Sequence, residues 1–140
     1  MNNDCRCLNR RLVNAILAST IAWRAVPSFL SERPDVQHSF RYLLLSLFGD
    51  LPSACAIGAA CLRSLPPETS TAEQHENEIL ASVSLDAETM KNREALRRKI
   101  ANCVRHDFAE GAIINVDGWL LSLTEAHVYA LVTLSLLNTH

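Results

Sequence analysis

The sequence predicts a mainly α protein: a single-domain bundle of five to six helices with one short β-hairpin (about 112–121) before a buried C-terminal helix. Apolar residues recur at helical spacing along most of the chain. Asp117-Gly118 lies between apolar residues and predicts a tight hairpin turn, because a type I′ turn needs positive φ at both central positions. After Glu125 no Asp, Glu, Lys or Arg follows. The last helix must therefore be covered by its own domain or by a partner.

The start of that helix has the spacing of a capping box. The Ser122 hydroxyl can accept from the amide of Glu125, whose side chain can return to the Ser122 amide. The residues that follow are apolar on nearly every side of the helix. We expect a protein partner to contact six residues of the hairpin and helix: Trp119, Leu120, His127, Tyr129, Leu131 and Leu134.

The N-terminal segment has two interpretations. It can form a first helix, Leu8 to Val26, ended by Pro27, since the residue before a proline is pushed out of the α region. Alternatively, Arg10-Arg11 followed by the uncharged run Leu12–Trp23 resembles a bacterial export signal, which makes residues 1–26 a signal-like segment. The run is too short for a transmembrane helix, which needs about 20 apolar residues. A cytoplasmic location is the prediction and export is the alternative.

Two further helices are predicted before residue 66. One spans about Asp35 to Phe48, with Gly49 placed as a left-handed C′ residue. Asp50 then caps a helix over Pro52–Leu65. Gly58 in its middle costs up to about 1 kcal/mol relative to Ala, which predicts the close approach of another helix.

The second half of the chain is more charged and carries two more predicted helices. Ser70 begins a capping box that opens a short helix to about Ala81. Asp86 is placed to cap the longest helix, 87–110, which Gly111 closes. The buried stripe predicted for this helix consists of Leu96, Ile100, Cys103, Val104 and Phe108.

Composition narrows the class of protein but not the function. A chain of 140 residues with 49% hydrophobic content is expected to form one domain, residues 1–140. The formal net charge of −2 gives no overall attraction for nucleic acid or an anionic membrane. The five cysteines are an odd number and form no CxxC pair, which favours a reduced compartment over a disulfide framework.

A nucleic-acid-binding regulator is the first alternative function. The helix over 87–110 carries several basic residues, and a hairpin with Asp117-Gly118 follows it, as in a winged-helix module. The arginines proposed to contact nucleic acid are Arg93, Arg97, Arg98 and Arg105. At 100° per residue, Arg97 and Arg98 cannot share one face with their neighbour Lys99, which favours a solvated helix.

The hairpin also resembles, locally, the start of OmpR-type response-regulator DNA-binding domains. There a strand with Asp-Gly leads into Leu-Thr-x-x-Glu and an apolar helix, as Asp117-Gly118 leads in this sequence into Leu123-Thr124-Glu125-Ala126-His127. The resemblance implies DNA binding. In that family the recognition helix comes after this motif, whereas this sequence stops with the apolar helix itself.

A metal- or thiol-dependent enzyme is the third hypothesis. Cys103, His106 and Asp107 are spaced i, i+3 and i+4 on one helix, so their ligand atoms could converge. Zinc sites need three or four ligands, and the others cannot be named. No G-x-S-x-G, Walker or G-x-G-x-x-G sequence is present, so no cofactor is expected.

The preferred function is therefore non-enzymatic. The sequence is typical of a small helical interaction protein, bacterial in character, working as an accessory subunit, adaptor or assembly factor. Its partner is another protein, itself, or both, and a symmetric homodimer is one way to cover the apolar C-terminal helix.

Overall fold

The computed structural model describes residues 34–69 and 71–138 of the chain. Within these residues it contains five α-helices and one antiparallel pair of strands, which confirms the predicted fold class. The elements are α1 (Pro34–Leu45), α2 (Leu51–Ser64), α3 (Ala72–Val83), α4 (Arg93–Glu110), β1 (Ile113–Val116), β2 (Trp119–Ser122) and α5 (Leu123–Leu137), with 3-10 turns at Pro67–Thr69 and Thr89–Lys91. The predicted first helix and the export-like segment 1–26 lie outside the described residues. None of the helices described is long and apolar enough to cross a membrane.

Helix α5, which has no Asp, Glu, Lys or Arg after Glu125, lies at the centre of the fold. It packs most extensively against α2 and α3, and also contacts α1, α4 and both strands. The larger core cluster joins it to the other helices through Phe40, Leu44, Ala54, Ile79, Val83, Leu96, Cys103, Val128, Leu131 and Val132. A smaller cluster under the hairpin contains Ala60, Cys61, Leu65, Val116, Ala126 and Ala130. The apolar tail is thus covered largely by its own chain.

Helices α2 and α5 approach each other closely at Gly58. A Cβ atom built on Gly58 would lie 2.0 Å from the Thr133 hydroxyl oxygen and 2.2 Å from the Tyr129 carbonyl oxygen. The same hydroxyl donates to the Cys55 carbonyl across the interface at 3.3 Å. The predicted close approach of another helix is confirmed, and the partner helix is α5.

The local signals at the hairpin and at the start of α5 are also confirmed. Asp117 and Gly118 have φ of 50° and 91°, as a type I′ turn requires. The Gly118 amide donates to the Asn115 side chain at 2.9 Å. The Ser122 hydroxyl accepts from the Glu125 amide at 3.0 Å, and the Glu125 carboxylate accepts from the Ser122 amide at 2.9 Å.

The longest helix begins later than predicted. The predicted span 87–110 is wrong at its start, because α4 begins at Arg93 and Asn92 is its cap. The Asn92 side chain accepts from the amides of Glu94 and Ala95 at 3.0 and 3.3 Å. Asp86 instead accepts from the Thr89 amide at 2.7 Å and stabilises the separate 3-10 turn. Asp86 and Asn92 thus stabilise two different elements, the 3-10 turn and α4.

Phe108 is not part of the buried stripe of α4. Its side chain is 48% exposed, whereas Leu96, Cys103 and Asp107 are buried. Asp107 lies about 40° around the helix from Cys103, and Phe108 lies about 140° around it. The acidic residue therefore occupies the inward position that the apolar pattern assigned to Phe108.

The end of α1 also differs from the prediction. The helix ends at Leu45, and Gly49 does not have the positive φ of a left-handed C′ residue. The Ser46 hydroxyl donates to the Leu43 carbonyl at 2.6 Å, and 3-10-type hydrogen bonds continue the chain to Phe48. These bonds satisfy the last carbonyls of the helix without a glycine.

The capping box of α3 lies one residue later than predicted. Thr71 is the cap, its hydroxyl accepts from the Gln74 amide at 3.2 Å, and the Gln74 side chain accepts from the Thr71 amide at 3.2 Å. Glutamine serves in this motif as well as glutamate. The expected cap, Ser70, lies outside the described residues.

Candidate functional site

Exposed apolar side chains are concentrated on the hairpin and on the helix end that precedes it. Trp119 is 75% exposed, Leu120 58%, Phe108 48% and Ile113 40%, and we call these four residues the hairpin surface. The strand register explains two of them. Asn115 pairs with Leu120, and Ile113 lies two residues before Asn115 on the same strand. Ile113, Asn115 and Leu120 therefore lie on one face of the hairpin, and this face is exposed at all three positions.

The opposite face of the hairpin lies on the core. Val116 is buried, and Ile114 and Leu121 are half-buried against the smaller cluster. Trp119 pairs with Val116 and shares its face, but it lies at the turn end of the hairpin, where its side chain is 75% exposed. An exposed tryptophan on a short, well-anchored hairpin is a feature that the packing of the core does not require.

The six residues predicted to contact a partner differ in how far their side chains are exposed. Trp119 and Leu120 are exposed, and Tyr129 is half-buried with its ring 5.6 Å from that of Phe48. Leu134 is half-buried, while His127 and Leu131 are buried inside the protein. Phe108 and Ile113 were not predicted as contact residues. The polar Asn115 marks the outward face of β1, and side chains two residues apart on a strand share a face. This period of two is the sequence signal that could have identified Ile113.

Two buried histidines form a polar contact between α3 and α5. The Nδ1 atoms of His75 and His127 are 2.9 Å apart, and their ring centroids are 5.1 Å apart. His75 is fully buried and His127 nearly so. Burial lowers the pKa of His75 from its usual value. The two residues are 52 positions apart, and no local sequence signal joins them.

A buried ion pair follows directly along α3. The Glu76 carboxylate is fully buried and accepts from the Arg41 guanidinium at 2.9 Å (Nε) and 2.6 Å (Nη2). Both bonds reach the same oxygen, Oε2. The pair ties α1 to α3 and neutralises a carboxylate that could not remain ionised alone in the core.

The arginines proposed for nucleic acid are exposed but point in two directions. Arg93 and Arg97 lie about 40° apart around α4, and Arg98 and Arg105 lie about 80–100° further round. Arg97 is 3.9 Å from Glu94, and Arg105 donates to a neighbouring asparagine. An open depression of about 290 Å³ beside Arg98 has both acidic and basic walls. The structure therefore presents these charges as a mixed surface rather than as one basic face.

The residues proposed for metal each have a different environment. The Cys103 thiol donates to the Ser82 carbonyl at 3.3 Å, and His106 is exposed on the outside of α4. The buried Asp107 carboxylate accepts from the Thr124 amide at 2.8 Å, at the N-terminus of α5, where a negative charge is favourable. Across residues 34–69 and 71–138, no group of three or more His, Cys, Asp or Glu side chains could hold a metal ion.

Comparisons with known proteins identify no relative. No protein-family model, curated protein or solved structure shows a significant match to this chain.

Proposed function

We propose that this chain is a small non-enzymatic interaction protein, an accessory subunit, adaptor or assembly factor, which binds a protein partner through the hairpin surface. The observation that carries the proposal is the 75% exposure of Trp119 at the turn end of a hairpin that Val116 anchors in the core. Tryptophan is among the residues that dominate binding energy in protein interfaces, because it offers a large contact area at a small entropic cost.

The size of the surface suits the centre of an interface. With about 150–250 Å² for each aromatic side chain, the four residues expose roughly 400 Å² of apolar area. At about 25 cal/mol per Å², complete burial gives at most about 10 kcal/mol before the costs of association. Those costs are about 4–15 kcal/mol. A standard interface also buries about 800 Å² on each partner. The hairpin surface therefore supplies the binding hot spot, and surrounding polar residues supply the rest of the area.

The surface is held in place before any partner binds. Arg63 on α2 donates to the Asp117 carboxylate at 3.1 Å, which connects the turn to the helix beneath it. Both side chains are well exposed, so this contact adds little stability. Its role is orientation, together with the packing of Val116 in the core. A pre-organised surface loses less entropy on binding.

The test is capture from the native host with tagged protein, followed by quantitative mass spectrometry, together with light scattering across a dilution series. Trp119→Ser is compared with Tyr42→Ser, because Tyr42 is an equally exposed aromatic residue on α1. We expect wild type and Tyr42→Ser to retain the same partner, or to self-associate equally. Trp119→Ser should weaken the association at least tenfold with an unchanged melting temperature. A monomer that captures nothing, or capture that Trp119→Ser leaves intact, contradicts the proposal.

A nucleic-acid-binding function is the alternative proposal and is carried by the four exposed arginines of α4. It predicts retention on duplex DNA that falls as salt rises, because phosphate contacts release counterions. Replacing Arg98 and Arg105 with Ala should reduce the dependence on salt. No binding at low salt excludes this alternative.

A further inference from the structure

The contact between His75 and His127 joins α3 to α5 through two polar side chains inside the protein. We propose that this pair is an acid-sensitive lock: it holds α3 on α5 while both rings are neutral, and it releases α3 when the pair takes up a proton. The proposal is independent of partner binding. It rests on the 2.9 Å distance between the two Nδ1 atoms and on the burial of both rings.

The contact fixes where the protons lie. Two Nδ1 atoms at 2.9 Å share one proton, so one ring donates and the other accepts. The Nε2 atom of His75 is buried and meets no hydrogen-bond partner among the residues that the structure describes. A buried N–H without an acceptor costs more than a bare lone pair. His75 therefore donates through Nδ1–H, and His127 accepts at Nδ1 and carries its own proton on Nε2.

Either way of adding a proton disrupts this arrangement. A proton on Nε2 of His75 creates a buried cation with no acceptor among the described residues. A proton on Nδ1 of His127 removes the lone pair that accepts the hydrogen bond and places two N–H groups against each other. The folded state consequently resists protonation, and burial lowers the pKa of His75 in the same direction.

The charged groups around the pair do not compensate for an added proton. Besides the two histidines, the buried or half-buried ionisable side chains described on the surrounding helices are Arg41 on α1, Cys55 and Cys61 on α2, Glu76 on α3, Lys99, Cys103 and Asp107 on α4, and Glu125 and Tyr129 on α5. Glu76 is next to His75 in sequence, but its carboxylate binds the Arg41 guanidinium. Asp107 and Glu125 accept from backbone amides at the start of α5. Each carboxylate is thus already engaged in holding the fold.

The direction of the pH dependence follows from proton linkage. An unfolded histidine has a pKa of about 6.5, and the folded His75 has a lower one. The unfolded or opened state therefore binds more protons below about pH 6.5, so the stabilising contact is fully present above that pH and is lost as pH falls towards the folded pKa. For each proton taken up, the equilibrium constant for opening rises up to about tenfold per pH unit in this window.

The test compares His75→Asn with His106→Asn between pH 8 and 5. Asparagine can keep an N–H near the position of Nδ1 but does not titrate, and His106 is an exposed histidine that provides the matched control. We expect urea unfolding constants of wild type and His106→Asn to rise at least about fivefold more between pH 6.5 and 5.5 than those of His75→Asn. Hydrogen exchange should show that the amides of α3 lose protection first.

Nuclear magnetic resonance titration of the wild-type imidazoles decides the question even where His75→Asn does not fold. The expected result is a His75 ring that stays neutral at pH 6 in the folded protein, with its proton on Nδ1. A folded His75 that titrates at pH 6.5 or above overturns the lock. Parallel pH profiles for His75→Asn and the control overturn it as well.

Discussion

Replacement of Gly58 by Ala tests how closely α2 and α5 approach. The new methyl group would lie 2.2 Å from the Tyr129 carbonyl oxygen and 2.0 Å from the Thr133 hydroxyl oxygen. The hydroxyl can rotate away, but the carbonyl belongs to the backbone of α5. An ordinary contact needs about 3.5 Å, so the two helices must separate by roughly 1 Å over their most extensive interface.

The magnitude follows from two opposing effects. Overpacking a core costs about 1–3 kcal/mol or more, and a rigid backbone obstacle places this site at the upper end. Alanine regains about 1 kcal/mol of helix propensity. We therefore expect Gly58→Ala to lower the free energy of unfolding by about 2 kcal/mol, which corresponds to a melting temperature roughly 6–10 °C lower for a chain of this size.

Urea unfolding followed by circular dichroism measures this effect, and Gly49→Ala is the matched control. Gly49 has no atom within 4 Å of an added Cβ among the described residues and no positive φ, so the same methyl group should be neutral or slightly stabilising there. Adding Thr133→Ala to Gly58→Ala should recover less than half of the loss, because the Tyr129 carbonyl remains. A Gly58→Ala protein as stable as wild type would refute the reasoning.

Three further predictions concern the buried polar groups, the cap and the thiols. Arg41→Met removes the cation that binds the buried Glu76 and should lower the free energy of unfolding by about 3 kcal/mol; urea unfolding measures the loss, and a variant as stable as wild type contradicts this. Ser122→Ala removes the cap of α5 and should lower the free energy of unfolding by about 1 kcal/mol, with an unchanged m-value. Burial raises the pKa of Cys61 to about 11, so iodoacetamide at pH 8 should modify the half-buried Cys55 well before Cys61; peptide mass spectrometry that finds equal rates refutes this order.

Features decided by neighbouring residues could be predicted from the sequence. The Asp117-Gly118 turn and the capping box at Ser122 depend on backbone conformation and on hydrogen bonds within a few residues, and both were predicted correctly. Gly58 was also informative, because a glycine within a helix indicates close approach even when the partner helix is unknown. These predictions concern single elements or one face of an element.

Contacts between distant residues could not be predicted in the same way. Helical spacing indicates which residues of a helix face inward, but not which helix lies opposite. The pairs His75–His127 and Arg41–Glu76 are separated by 52 and 35 positions, and only the packing of whole helices brings them together. The predicted start of α4 was wrong for a related reason. Asp86 can cap a long helix or a short 3-10 turn, and the burial of Thr89 in the fold favours the turn.

Ser122 ends β2 and caps α5, so no spacer residue separates the hairpin from the helix. The Leu123 amide also donates to the Ala112 carbonyl at 3.0 Å, which closes the junction on its other side. One inserted residue would turn α5 by about 100° relative to the hairpin and bring polar atoms to positions now filled by Ala126 and Ala130. The hairpin and α5 therefore form one rigid unit. A partner that displaces the turn of the hairpin would also displace α5 in the core, because no flexible residue separates the two elements.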